Sequence, residues 1–202
     1  MSEPSPPSDV HETAEPSARP SCTTGPRGTA GPRGTVEPHS HCSTCGAPYG
    51  NVAVWPRRCP ACGHTAYRNP LPVAVALQPV QDTAGIGLLV ITRSIAPARG
   101  LDALPGGFVD HREDWRDAVV RELREETRIE AHARDVVLAD VLSSRDGHLL
   151  IFGLLPVLPV AQLPPDRPTD ETHGRHLLRE PVELGFPLHT IATRAWFAGH
   201  YG

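Results

Sequence analysis

Glu122, Glu125 and Glu126 impose the strongest constraint on this chain, because they stand at i, i+3 and i+4 in a segment of helical periodicity. From Trp115 to about Thr127, the apolar residues Trp115, Ala118, Val119 and Leu123 fall on one face, Asp114 is a plausible N-cap and Asp117 lies in the first turn. Three carboxylates projecting from one helix face repel one another unless a cation sits between them. Hard divalent cations such as Mg²⁺ or Mn²⁺ take carboxylate oxygens, and Mg²⁺ is usually shared with substrate phosphates. Upstream, Leu104-Pro-Gly-Gly-Phe108 is a loop whose glycines let backbone approach a ligand closely. A carboxylate helix facing a glycine loop suits metal-assisted pyrophosphate cleavage. On these residues alone a second reading stays open, in which Arg121, Glu122, Arg124, Glu125, Glu126 and Arg128 form a solvated charged face.

The cysteines supply a second constellation. Cys42-x2-Cys45 is followed after thirteen residues by Cys59-x2-Cys62. Four thiolates suit tetrahedral Zn²⁺, and Gly46 and Gly63, each just after a pair, free the backbone to turn its N–H groups toward sulfur. A structural zinc site is expected in preference to a redox pair, with His39, His41 and His64 close enough to substitute as ligands. Cys22 is read as a free thiol.

Composition narrows the function classes. All 19 basic residues are arginine, which removes Schiff-base catalysis, lysine general bases and the P-loop lysine. A net charge of -4 argues against a sequence-independent nucleic-acid binder. No apolar run approaches membrane-spanning length, and no basic start followed by an apolar stretch marks a secretory signal, so a cytoplasmic location is expected.

Along the chain, residues 1–38 are rich in Pro, Ser, Thr, Gly and Glu, contain a twofold Gly-Pro-Arg-Gly-Thr repeat and are expected to be a disordered tail. Residues 39–68 form the cysteine segment, and 69–202 the main domain. In that domain Val73–Leu77 and Ile86–Ile91 read as a hairpin, and Val136–Leu142 with His148–Leu155 as a second one turning at Arg145-Asp146-Gly147. Pro156–Thr172 is expected to be a proline-rich loop. A last helix, Thr190 to about Gly199, offers Ile191, Ala195 and Trp196 for packing. An α/β (α+β) fold follows, with a mixed sheet sandwiched by helices.

Gly107-x5-Glu113-x7-Arg121-Glu-Leu-Arg-Glu-Glu-Thr-Arg-Ile129 resembles the Nudix box, G-x5-E-x7-R-E-U-x-E-E-x-G-U with U a bulky aliphatic residue, at eight of nine defined positions. The exception is Arg128, where the box has the glycine that closes the helix; a left-handed residue there costs a side chain on the order of 1 kcal/mol. Together with the cysteine pairs, Tyr67-Arg-Asn-Pro70, Leu104-Pro-Gly-Gly107 and Phe186-Pro-Leu-His189 look like a Nudix subfamily carrying an N-terminal zinc ribbon.

The resemblance implies an α/β/α sandwich and a Mg²⁺- or Mn²⁺-dependent hydrolase of nucleoside diphosphate derivatives. It makes Glu122 and Glu126 the main metal ligands, Glu125 a third ligand or the base that activates water, and Arg121 and Glu113 a pair holding loop against helix. Gly106 and Gly107 would lie at the metal and phosphates. In this family the base can also come from a later loop, which makes Asp170 and Glu171 candidates. ADP-ribose and FAD lead as substrates. NADH is less favoured, because Glu130–Leu138 carries no trace of the S-Q-P-W-P-F-P-x-S motif of NADH pyrophosphatases. Asp102 stands where relatives often have tryptophan, leaving Phe108, Trp115 and Phe152 as aromatics. The expected partner is a small-molecule nucleotide; neither a membrane nor a nucleic acid is expected, and a homodimer stays open. Two other readings compete, a non-catalytic nucleotide sensor on the same fold and a hydrolase directed at RNA caps.

Overall fold

The structure is a computed structural model that describes residues 39–50 and 54–201. The expected disordered tail, its repeat and Cys22 lie outside the described residues.

Two compact units divide the chain after Ala66. In the first, strands β1 (Arg57–Arg58) and β2 (Thr65–Ala66) pair antiparallel and carry the second cysteine pair in their turn. Cys42, Tyr49 and Cys59 form its small buried cluster.

The second unit runs β3 (Leu71–Leu77), β4 (Pro79–Asp82), β5 (Gly85–Arg93), β6 (Asp102–Ala103), β7 (Gly106–Phe108), α1 (Trp115–Thr127), β8 (Val137–Ser143), β9 (His148–Leu154), β10 (Leu158–Pro159), β11 (Thr172–Leu178) and α2 (Pro187–Phe197). One sheet has the order β7-β3-β9-β8, with β3 and β9 parallel and the other pairs antiparallel. The other has the order β10-β4-β5-β11, with β6 also on β5.

Alternation along β3 explains the layering. Ala74 and Ala76 face a core shared with Val119 and Leu123 of α1, while Val75 and Leu77 face one shared with Phe152 and with Ala192 of α2. A strand covered on both faces reads as a continuous apolar run, as Val73–Leu77 does. The expected sandwich with helices on both sides is therefore present.

The first expected hairpin is corrected. Val73–Leu77 does not pair with Ile86–Ile91; Pro79–Asp82 does, through a tight turn in which Asp82 Oδ1 accepts the Ala84 N–H at 2.8 Å. Buried Gln78 marks the crossing between sheets, its amide donating to the carbonyls of Pro79 (2.8 Å) and Pro156 (2.9 Å). A run apolar on both faces does not reveal which neighbour it takes, and the sequence reading chose the nearest.

Two further expectations change. Pro156–Thr172 is not loop throughout, since it contains β10 and a 3-10 turn, and Thr172 opens strand β11. The last helix begins three residues earlier, with Pro187 in its first turn, where a missing N–H costs nothing. His189, Ala192 and Thr193 are its buried face, whereas Ile191 is 48% exposed. The second hairpin forms much as expected, with Gly147 at φ 93° in its turn.

Candidate active site

Helix α1 presents its glutamates to β7. Its start is fixed by Asp114, whose side chain accepts the Arg116 N–H at 2.9 Å. Its end closes at Arg128, which adopts φ 61°, ψ 14° and donates its N–H to the Arg124 carbonyl at 2.7 Å. The missing glycine therefore leaves the left-handed closure in place, with an arginine bearing the steric cost.

Arg121 organises the entrance. Its Nε and Nη2 grip Glu113 Oε1 and Oε2 at 2.8 and 2.9 Å, Nη1 donates to Glu122 Oε1 at 2.6 Å and to Glu125 Oε2 at 3.3 Å, and Nη2 also reaches the Phe108 carbonyl at 3.0 Å. Glu113 in turn accepts the Asp110 N–H at 2.8 Å. A bidentate fork of this kind fixes orientation as well as charge, and here it joins the loop after β7 to the middle of α1. The guanidinium holds the Glu113 carboxyl below the usual carboxylate range.

Glu126 is the most constrained of the three. It is 4% exposed, its Oε2 accepts the Gly106 N–H at 3.0 Å, and its Oε1 is buried without any hydrogen-bond partner. Burial pushes its pKa up to about 8, and the charges of Glu122 and Glu171 push the same way. Burial also raises Glu122, against the pull of Arg121. Glu125 differs, with half of its side chain exposed.

Glycines 106 and 107 are required for two different reasons. A Cβ on Gly106 would lie 2.5 Å from the Ala74 carbonyl oxygen, inside the β3–β7 pairing. A Cβ on Gly107 would lie 2.6 Å from the Glu122 carboxyl carbon.

One cleft of about 1190 Å³ is lined by Gly106, Gly107, Arg121, Glu122, Glu125 and Glu126, and also by Asp170 and Glu171. The turn carrying Asp170 and Glu171 is held through its backbone. Thr169 Oγ1 accepts the N–H groups of Glu171 (3.2 Å) and Thr172 (3.1 Å), while Ser94 donates its hydroxyl to the Asp170 carbonyl and its N–H to the Glu171 carbonyl, each at 2.8 Å. Glu113 stands behind Arg121, outside the lining.

The sequence reading missed part of this cleft. Arg93, Pro97, Phe186 and His189 form one wall, and the tip of the β8–β9 hairpin contributes Ser144, Asp146 and His148. Buried His189 accepts the Leu104 N–H on Nδ1 at 3.2 Å, and burial pushes its pKa down to about 3, so a neutral imidazole anchors the strand entering the glycine loop. The Phe186-Pro-Leu-His189 stretch was visible as a motif, but without a role. Of the three aromatics considered, Phe152 lies in the core shared with α2 and Trp115 packs half-buried against the other core, the one containing Val119 and Leu123; Phe108, 55% exposed, lines the cleft beside His148. Asp102 accepts the Thr92 hydroxyl at 2.9 Å and pairs with His176 at 3.2 Å.

In the first unit, the Sγ atoms of Cys42, Cys45, Cys59 and Cys62 all lie within 4.8 Å of one another. Cys42–Cys62 and Cys45–Cys59 are separated by 3.7 and 3.6 Å, with no disulfide. Gly46 and Gly63 take φ 73° and 76° and donate to the carbonyls of Cys42 and Cys59, both at 2.9 Å, so the two knuckles share one geometry. Backbone N–H groups of Cys45 and Cys62 lower the Cys42 and Cys59 thiols respectively.

Comparison with known proteins shows the family and the fold. The NUDIX domain model matches residues 70–191, and the chain belongs to the NUDIX domain family. An ADP-ribose pyrophosphatase of Methanocaldococcus jannaschii is 42% identical over 67 residues, a match covering 31% of this chain and 38% of that protein. Among solved structures, a NUDIX hydrolase from Nitrosomonas europaea superposes with a TM-score of 0.58 at 23% identity, over 79% of this chain and 90% of that one. A MutT/nudix family protein from Enterococcus faecalis gives 0.50 at 24% identity, over 55% of this chain and 44% of that one. Among the described residues no helix is long and apolar enough to cross a membrane.

Proposed function

We propose that the chain is a divalent-metal-dependent hydrolase that cleaves the pyrophosphate bond of a nucleoside diphosphate linked to another moiety, with ADP-ribose or an FAD-like compound as substrate. The observation carrying this reading is the Glu126 carboxylate, buried with one oxygen on the Gly106 N–H and the other without a partner, beside Glu122. An orphaned buried carboxylate oxygen is costly unless something satisfies it, and Mg²⁺ or Mn²⁺ fits a set of hard oxygen donors. Similarity to the M. jannaschii ADP-ribose pyrophosphatase favours the substrate class.

Glu126 and Glu122 would hold the metal, with Glu125 completing the set from the rim. When bound, such an ion polarises a phosphoryl oxygen and makes water a better nucleophile. The chain's own residues do the rest. Arg121, locked on Glu113, keeps Glu122 turned inward, and the Gly106–Gly107 backbone brings the phosphates close to the helix. A Glu171 carboxylate oxygen takes the proton of the attacking water as that water adds to phosphorus and the bridging P–O bond breaks, giving two monophosphates; its charge acts on both Glu122 and Glu126. Asp170, on the same turn, is the alternative base.

For the first unit we infer a structural Zn²⁺. Tetrahedral zinc with sulfur at about 2.3 Å places ligand sulfurs roughly 3.8 Å apart, near the 3.6 and 3.7 Å separations of these thiols. The corresponding domain organisation is a ribbon over 39–68 and a catalytic domain over 69–202.

The test is product formation from ADP-ribose, FAD, NADH and NAD⁺ at millimolar Mg²⁺ or Mn²⁺, beside Glu126→Gln. Turnover of one compound that the variant loses supports the reading. Equal background in both proteins, with tight nucleotide binding, overturns it in favour of a sensor.

A further inference from the structure

We propose that Arg93 is the phosphate-binding side chain of the cleft, taking the substrate's anionic oxygens on its Nη1 and Nη2 atoms. The proposal deepens the hydrolase reading and rests on it for the identity of the substrate.

Arg93 ends β5, where its backbone N–H donates to the Leu101 carbonyl at 3.0 Å and its own carbonyl accepts the Gly100 N–H at 2.8 Å. The residue is 9% exposed. Its Nε donates to the Pro97 carbonyl at 2.9 Å, and Cζ lies 5.3 Å from the centre of the Phe186 ring. Those two contacts fix the guanidinium plane. Among the described residues, Nη1 and Nη2 have no hydrogen-bond partner, and no carboxylate lies within ion-pairing distance. Other inward arginines are differently placed: Arg121 sits on Glu113 and Glu122, and Arg175 caps the carbonyls of Thr127 and Pro164.

The charge of Arg93 acts on Glu126 without a bond between them, and its two free nitrogens open on the cleft, where an anion can reach them. Arg93 shares its cleft with Glu122, Glu126 and Glu171, yet bonds to none of them. Carboxylates of that number repel an anionic substrate, and one fixed guanidinium in the same cleft offsets part of that repulsion. The planar fork, with its Nε already used and two nitrogens free, matches two oxygens of one phosphoryl group.

The probe is methylenediphosphonate, whose P–C–P bridge contains no anhydride to cleave, titrated calorimetrically into the full chain with Mg²⁺ present. The wild type binds, Arg93→Gln weakens binding at least tenfold at an unchanged melting temperature, and Arg93→Lys, which keeps the charge without the fork, lies between. Equal affinity in folded wild type and Arg93→Gln, or no binding by the wild type, overturns the proposal. Should Arg93→Gln fail to fold, phenylglyoxal modification of the wild type decides: methylenediphosphonate must protect the Arg93 peptide, and equal labelling with and without it overturns the assignment. A folded chain that binds the probe through Arg93 but hydrolyses no nucleotide would refute the hydrolase reading alone.

Discussion

Adding a single methyl group at either of two adjacent glycines separates the chemistry of this cleft from its folding. In Gly107→Ala the new Cβ meets the Glu122 carboxyl carbon at 2.6 Å, where ordinary contact begins near 3.4 Å. Subtraction leaves about 0.8 Å for the carboxylate to retreat, since it is the end of a side chain and the strand backbone is not. That retreat pulls Glu122 off the 2.6 Å bond to Arg121 and out of register with Glu126. Misplacement by about 1 Å costs roughly 100-fold in rate, so on the proposed hydrolase reading kcat/KM falls by about 30- to 100-fold while the melting temperature moves by no more than about 3 °C. Gly106→Ala does the reverse. Its Cβ meets the Ala74 carbonyl oxygen at 2.5 Å and Val75 Cα at 2.9 Å, both backbone, so the β3–β7 pairing has to open. Overpacking of this kind costs about 1–3 kcal/mol, or roughly 4–12 °C in a domain of this size. Initial rates and thermal melts on both variants decide the matter. Gly107→Ala with wild-type turnover, or with stability lost as heavily as in Gly106→Ala, refutes the geometry on which the reasoning stands.

Other perturbations follow from the same contacts. Arg128→Gly relieves a left-handed arginine and raises the melting temperature by about 3–5 °C with activity retained; unchanged stability with lost turnover would instead place Arg128 in the substrate site. Without divalent cation, the folded chain keeps a proton on Glu126 that the unfolded chain has already released, because burial holds that carboxyl near 8 against an ordinary value of 4.5. Stability therefore declines as pH rises from about 4.5 to about 8 and is flat outside that window on this account. Melts of Glu126→Gln should show a much shallower slope, and matching profiles for the two proteins would contradict the assignment. Mercurial titration of the cysteines should release about one equivalent of zinc per chain, detected with a chromogenic chelator, and Cys59→Ser should abolish the release.

The helix and its glutamates were legible because their spacing, N-cap and flanking glycines agree with one another over a short stretch. Arg128 was legible for the same reason, as the one residue out of pattern, and its φ of 61° is what that position demands. The cysteine knuckles were readable from two identical local arrangements. What escaped the sequence was mostly non-local. Val73–Leu77 is apolar on both faces, so nothing in it distinguishes β5 from β9 as neighbour. Thr172–Leu178 is largely polar, with His173, Arg175 and His176, yet β5 recruits it along most of its length. Arg93 and His189 lie 96 residues apart in sequence, and only the packing of α2 and the end of β5 into the folded unit brings both to one cleft.

The turn at Asp170 and Glu171 is fastened through Thr169, Thr172 and Ser94, whose bonds to these two residues reach their backbone atoms alone. Neither carboxylate helps to hold its own support. Substituting either side chain leaves the turn intact and changes only what faces the cleft, so this pair works as an interchangeable insert in a fixed socket. A library varied at positions 170 and 171 would sample new substrates and bases on an unaltered frame, whereas Glu126, whose own carboxylate accepts the Gly106 N–H of β7, offers no such freedom.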